Sequence, residues 1–181
     1  MRITTAFDEI RASEYSEAIE AKELGAIAIE RIDEHAHLQT ASIGYLFRDD
    51  EIRRQGKVIL AEAILVERIL PADKRWNRFI KWSLQRVLNA PIPDFLILID
   101  RNIWEGFDAE QKLALIDHEL SHAGQATEDD GETLKFHKDG TPVWSIRAHD
   151  LEEFCGVVAR NGLWSEDIAA MARTIIDRLG P

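Results

Sequence analysis

His118, Glu119 and His122 stand in the order H-E-x-x-H, inside a stretch from Leu115 to Gly124 that reads as a helix. Side chains four apart on a helix project from one face, so His118 and His122 can direct imidazole nitrogens at a single metal ion. Glu119 lies about 100° round from His118. From there it can reach a water on that ion without being a ligand. Zn²⁺ accepts such nitrogens at about 2.0–2.1 Å and lowers the pKa of bound water toward about 7. A neighbouring carboxylate can then take the water's proton and pass it to a leaving amine. Those are the requirements of metal-assisted peptide-bond hydrolysis.

The elements that must hold these residues are legible around them. Asp108 is placed as an N-cap, with Gln111 in the capping-box position three residues on. Gly124 suits the C′ position just past the helix end. Ala109, Leu113, Ile116, Leu120 and Ala123 fall on one apolar stripe, which leaves the His/Glu face expected open to solvent. An apolar run, Phe95 to Ile99, comes shortly before and reads as a strand.

Upstream, the spacing predicts a long helix from about Glu14 to Leu38, with His35 and His37 as surface residues at its end. Ser42–Phe47 and Lys57–Val66 are strand candidates. Trp76, Phe79, Ile80, Leu84, Val87 and Leu88 form a helical stripe closed by Asn89 and then Pro91 and Pro93. Downstream, Leu134–Ile146 reads as a hairpin turning at Asp139-Gly140. A helix follows from Asp150 to about Gly162. A last amphipathic helix carries Ile168, Ala172, Ile175 and Leu179. The sum is an α+β domain covering residues 1–181: a small, mostly antiparallel sheet packed against helices.

A catalytic zinc site usually has three protein ligands and water. The third donor is sought in His149-Asp150-Leu151-Glu152-Glu153-Phe154. If a helix starts at Asp150, Leu151, Phe154, Val157 and Val158 define its buried face. Glu153 borders that face and Glu152 projects away, so Glu153 is preferred. His149, Asp150 and Glu152 stay open as alternatives. Asp150 and Glu153 also fit a capping box, and His149 could orient a ligand from behind. No oxyanion-stabilising residue stands out, with His137, Tyr45 and His149 as candidates.

Composition bounds the rest. The 181 residues are 45% hydrophobic and 30% charged, and no run of about eighteen apolar residues suggests a membrane span. The acidic N-terminal stretch has no apolar signal core, and Cys155 is the only cysteine. A cytoplasmic protein without internal disulfides is expected. Cys155 reads as a small buried residue beside Phe154. A net charge of −11 argues against a nucleic-acid surface. Basic residues accumulate between Arg53 and Arg86 as a local exception, which a solvated helix face accounts for in the main, with nucleic-acid contact as the lesser reading.

With these residues laid out, the chain resembles the putative phage metallopeptidase family, a zincin-like group of phages and prophages. The resemblance rests on Tyr45-Leu46-Phe47-Arg48, Gly56-Lys57-Val58, Phe95–Ile99 with Trp104, Asp117–His122, and His149–Phe154 with Gly162-Leu163-Trp164. The first and last helices lie outside these blocks. The resemblance implies a zincin-like fold, bound Zn²⁺ and a glutamate third ligand that maps onto Glu153. A looser similarity connects the chain to the zincin domains of phage-repressor-cleaving regulators. The resulting expectation is a zinc metallopeptidase acting on polypeptides, with His118, His122 and Glu153 as ligands and Glu119 as general base. The alternative is a non-proteolytic zinc-binding module that docks a partner.

Overall fold

The computed structural model describes residues 15–149, 151, 158, 160–163 and 165–180. They fall into two units, Met1–Arg147 and Ala148–Pro181.

The first unit is built on a four-stranded sheet. Strand β1 (Tyr15–Glu17) leads into helix α1 (Ile19–Arg31) and a 3₁₀ helix, Asp33–Thr40. Strand β2 (Ile43–Arg48) follows. A two-residue turn at Gln55-Gly56, both with positive φ (52° and 80°), joins the short strands β3 (Arg53–Arg54) and β4 (Lys57–Val58). Then come β5 (Ala61–Leu65), the one-turn helix α2 (Val66–Ile69), helix α3 (Lys74–Leu88), β6 (Phe95–Asp100), helix α4 (Arg101–Gly106) and helix α5 (Ala109–His122). Strands β7 (Ala123–Gln125) and β8 (Trp144–Ile146) pair with each other.

Among the described residues the sheet order is β1-β2-β6-β5, and only β2 and β6 are parallel. The fold is mixed α+β, and two of its three main pairings are antiparallel. Among the described residues β5 bonds only to β6 and forms one edge.

Alternation along the strands separates two cores. Tyr45, Phe95, Ile97 and Ile99 point to one side, where they join Ala21 and Ala28 of α1 and Ile116 and Leu120 of α5. Leu46 and Leu96 point to the other, where they meet Leu88 of α3 and Val66. The sheet is thus covered on both faces, with α5 and α3 on opposite sides. Where β2 and β6 end, the Arg48 guanidinium is buried against Asp100 at 3.4 Å and also donates to the carbonyls of Asp50 and Ile59. Asp100 also caps α4, accepting from the Asn102 and Ile103 amides.

Several expectations shift. The helix expected over 14–38 is helical from Ile19 to Arg31, and 3₁₀ from Asp33 to Thr40. His35 is buried there, and His37 is tied inward, so neither is the surface residue expected from their i, i+2 spacing. The strand expected over Lys57–Val66 is interrupted, because β4 serves the turn with β3 and only β5 enters the main sheet. On α3, Trp76 and Phe79 are 60% and 53% exposed, so its buried side is narrower than the expected stripe.

In the second unit, helix α6 (Glu166–Leu179) is capped by the Ser165 hydroxyl accepting from the Ile168 amide. Glu166 and Asp167 lie in its first turn and Arg178 in its last, in accord with the helix dipole. Of the helix expected over 150–162, Val158, Arg160 and Asn161 are helical. Asp150, Glu152, Glu153, Phe154 and Cys155 lie outside the described residues. Among the described residues no helix is long and apolar enough to cross a membrane.

Candidate metal centre

Helix α5 carries His118, Glu119 and His122, and its start is fixed by a complete capping box. The Asp108 carboxylate accepts from the Gln111 amide at 2.9 Å, and the Gln111 side chain accepts from the Asp108 amide at 3.0 Å. At the far end the expected left-handed glycine cap is absent. The helix stops at His122, Ala123 is extended, and Gly124 lies within β7. Gly124 serves close approach instead: a Cβ there would come within 2.9 Å of the Arg147 side chain.

That approach bears directly on a ligand candidate. The Arg147 amide donates to the His122 carbonyl at 2.8 Å. His122 Nδ1 lies 2.8 Å from the Arg147 carbonyl oxygen. A carbonyl only accepts, so Nδ1 carries the proton and Nε2 keeps its lone pair for a metal. His122 Nε2 and His118 Nε2 are 3.3 Å apart. Two Zn–N bonds of about 2.0–2.1 Å at a tetrahedral angle set their nitrogens about 3.3–3.4 Å apart. The spacing therefore fits an ion held by both rings.

Glu119 is not on an open polar face as expected. It is 4% exposed, because the buried side of α5 runs through Leu115, Ile116, Glu119 and Leu120. Burial pushes its carboxyl up to about 7, while neighbouring His122 and the Ala63 backbone amide pull the other way. Ala63 belongs to the edge strand β5, so Glu119 sits between the histidine pair and the rim of the sheet. A carboxyl tuned to near neutrality is suited to both taking and returning a proton.

Two contacts that sequence reasoning missed brace this helix. His35 Nε2 lies 2.6 Å from the Asp117 carboxylate, one residue before His118. His37 Nε2 donates to the Ala123 carbonyl at 2.9 Å, one residue after His122. Both come from the 3₁₀ helix. No local pattern announces either contact, because the partners lie 82 and 86 residues apart in the chain. A third brace joins α1 to α5: Glu20 accepts from Trp104 Nε1 at 2.9 Å and from Lys112 Nζ at 3.0 Å.

The other named residues separate clearly. Tyr45 is buried in the core against Gly25 of α1, and burial raises its phenol well above the usual range. His137 lies at the exposed turn, where its amide donates to the Thr141 carbonyl at 2.8 Å. His149 is exposed at the start of the second unit.

The decisive comparison spans nearly the whole chain. A family model described as putative phage metallopeptidase matches residues 13–176. The chain belongs to that family. No curated protein and no solved structure matches it. The family match covers the histidine pair, Glu119 and the segment after Arg147 within one alignment.

Proposed function

We propose that this family member is a zinc-dependent peptidase of zincin-like fold, encoded by a phage or prophage and acting on polypeptides in the cytoplasm. The single observation that carries the reading is the His118–His122 pair. Its nitrogens have the spacing of two corners of a zinc tetrahedron, and one ring is locked in the ligating tautomer. The ion supplies Lewis acidity for the scissile carbonyl and makes water acidic near neutral pH.

The chain's own residues do the remainder. Glu119 accepts a proton from the attacking water and returns it to the amide nitrogen that leaves. Its burial removes competing solvent and holds its affinity for the proton near the working pH. An extended substrate would run along the β5 edge, taking main-chain hydrogen bonds as an added strand.

The third donor lies after Arg147. His149 follows Arg147 by two residues, and the Arg147 carbonyl is bonded to His122. Two residues of chain span at most about 7 Å, which keeps His149 within reach of the pair. His149 is therefore a candidate third donor to the ion that His118 and His122 would hold. Glu153, the donor preferred from helical geometry and by resemblance, is the competing assignment.

The test compares cleavage of an unfolded polypeptide by the wild type and by Glu119→Gln. Loss of about 10²–10⁴-fold in rate with zinc retained is expected; equal cleavage would remove Glu119 from the mechanism. His149→Ala and Glu153→Ala then decide the third ligand, since only the true one loses bound zinc.

A further inference from the structure

On the face of the sheet away from the histidine pair, α3 presents a surface the peptidase reading does not use. Its fifteen residues, Lys74–Leu88, contain Lys74, Arg75, Arg78, Lys81 and Arg86 and no acid, in a chain of net charge −11. Trp76, Phe79 and Trp82 are exposed by 60%, 53% and 53%. They form a ladder along the helix, with ring centroids 6.0 and 6.1 Å apart, and Arg86 sits over Trp82 at 5.8 Å. Trp82 also walls a cleft of about 660 Å³ that Lys74, Arg78, Lys81, Asn77 and Gln85 line without any carboxylate. Among the described residues, Lys74, Arg78 and Lys81 have no ion-pair partner. The nearby Asp73 is engaged as the N-cap of α3, accepting from the Arg75 and Trp76 amides.

We propose that α3 and its cleft bind single-stranded nucleic acid. Cations along a groove follow a phosphate backbone, and exposed aromatic rings supply stacking platforms that tolerate any base. Gln85 adds an amide donor and acceptor for base edges or sugars, while Asn77 Nδ2 donates to the Pro71 carbonyl at 3.2 Å. The chain's overall negative charge does not cancel this. Beyond about 10 Å at 0.1 M salt, exposed charges are largely screened, so the local cluster decides. A bilayer fits less well, because a helix lying in a lipid surface segregates its rings from its cations, whereas here Arg86 lies over Trp82 and Arg78 and Lys81 share its cleft. The net charge argues against a nucleic-acid surface in general, and the proposal concerns this one helix.

Fluorescence anisotropy of a labelled twenty-nucleotide oligothymidine, titrated with the full zinc-loaded chain, tests the proposal. Binding is expected at 50 mM salt, with log K falling against log salt at about 0.7 per phosphate-contacting cation. Arg78→Ala and Lys81→Ala should each flatten that slope by about 0.7. Trp82→Ala should weaken binding by roughly tenfold at constant slope, with Trp82→Phe restoring much of it. Trp82→Ala should cleave an unfolded polypeptide at the wild-type rate, which separates this surface from the peptidase reading. No binding at 50 mM salt, equal or tighter binding of a duplex of the same length, or indifference to Trp82→Ala would overturn it. So would preferential binding to vesicles of phosphatidylglycerol and phosphatidylcholine.

Discussion

Glu119 makes the metal-free chain sensitive to pH in a direction that follows from its burial. Its carboxyl is raised from 4.5 to about 7 in the folded state. Below about pH 4.5 it is neutral folded and unfolded alike, and its contribution to stability is fully present. As pH rises toward 7 the unfolded chain releases the proton first, so that stability is lost. The span is worth on the order of 3 kcal/mol as an upper bound. Thermal melts of chelator-treated protein should therefore show Glu119→Gln gaining on the wild type between pH 4.5 and 8, with no gain at pH 4. A constant difference across that range would show that burial does not control the group. Bound zinc opposes the shift by favouring the carboxylate, so the holo protein should show a smaller effect.

At the scale of elements, the helix that carries the motif is held by its neighbours at both ends and along its length. α1 packs against α5, and its approach to β2 requires Gly25, because a Cβ there would drive into the Tyr45 ring and hydroxyl. A mid-helix glycine costs about 1 kcal/mol relative to alanine on propensity alone. Gly25→Ala should nevertheless destabilise, by about 1–3 kcal/mol, since overpacking outweighs propensity here. Chemical denaturation checks it, and unchanged or increased stability would show that α1 can shift away. The same elements show what the sequence makes legible. Asp108 and Gln111 announce the start of α5, because a capping box is a local pattern, and the structure makes both its bonds. The end of α5 was not legible, because it depends on Arg147, distant in sequence, entering beside Gly124. The placement of His35 and His37 is illegible for a related reason. An i, i+2 spacing implies different sides on an α-helix, whereas here the 3₁₀ turn and the partners Asp117 and Ala123 decide where they point. The interrupted strand after Gly56 follows from Gln55 and Gly56 closing a separate small hairpin. The histidine pair and Glu119 were legible as residue types. The buried setting of Glu119 was not, since it depends on β5 lying alongside α5.

At the scale of the whole molecule, the sheet divides the first unit into a face bearing the histidine pair and a face bearing α3. The two can then be perturbed separately. Metal bound to the folded chain alone adds stability by mass action, about 2.7 kcal/mol at a hundred times the dissociation constant. Removing zinc with a chelator should lower Tm and re-addition should restore it, in wild type and in Trp82→Ala alike. A Tm indifferent to chelation in metal-loaded protein would mean that the ion is not coupled to the folded state.

The central claim is that His118 and His122 together hold the ion. Elemental analysis of purified wild type, Glu119→Gln, His118→Ala and His122→Ala tests it most directly. The expected result is about one zinc per chain in the first two and nearly none in the last two. Zinc retained by both histidine variants, or missing from carefully prepared wild type, would contradict the account.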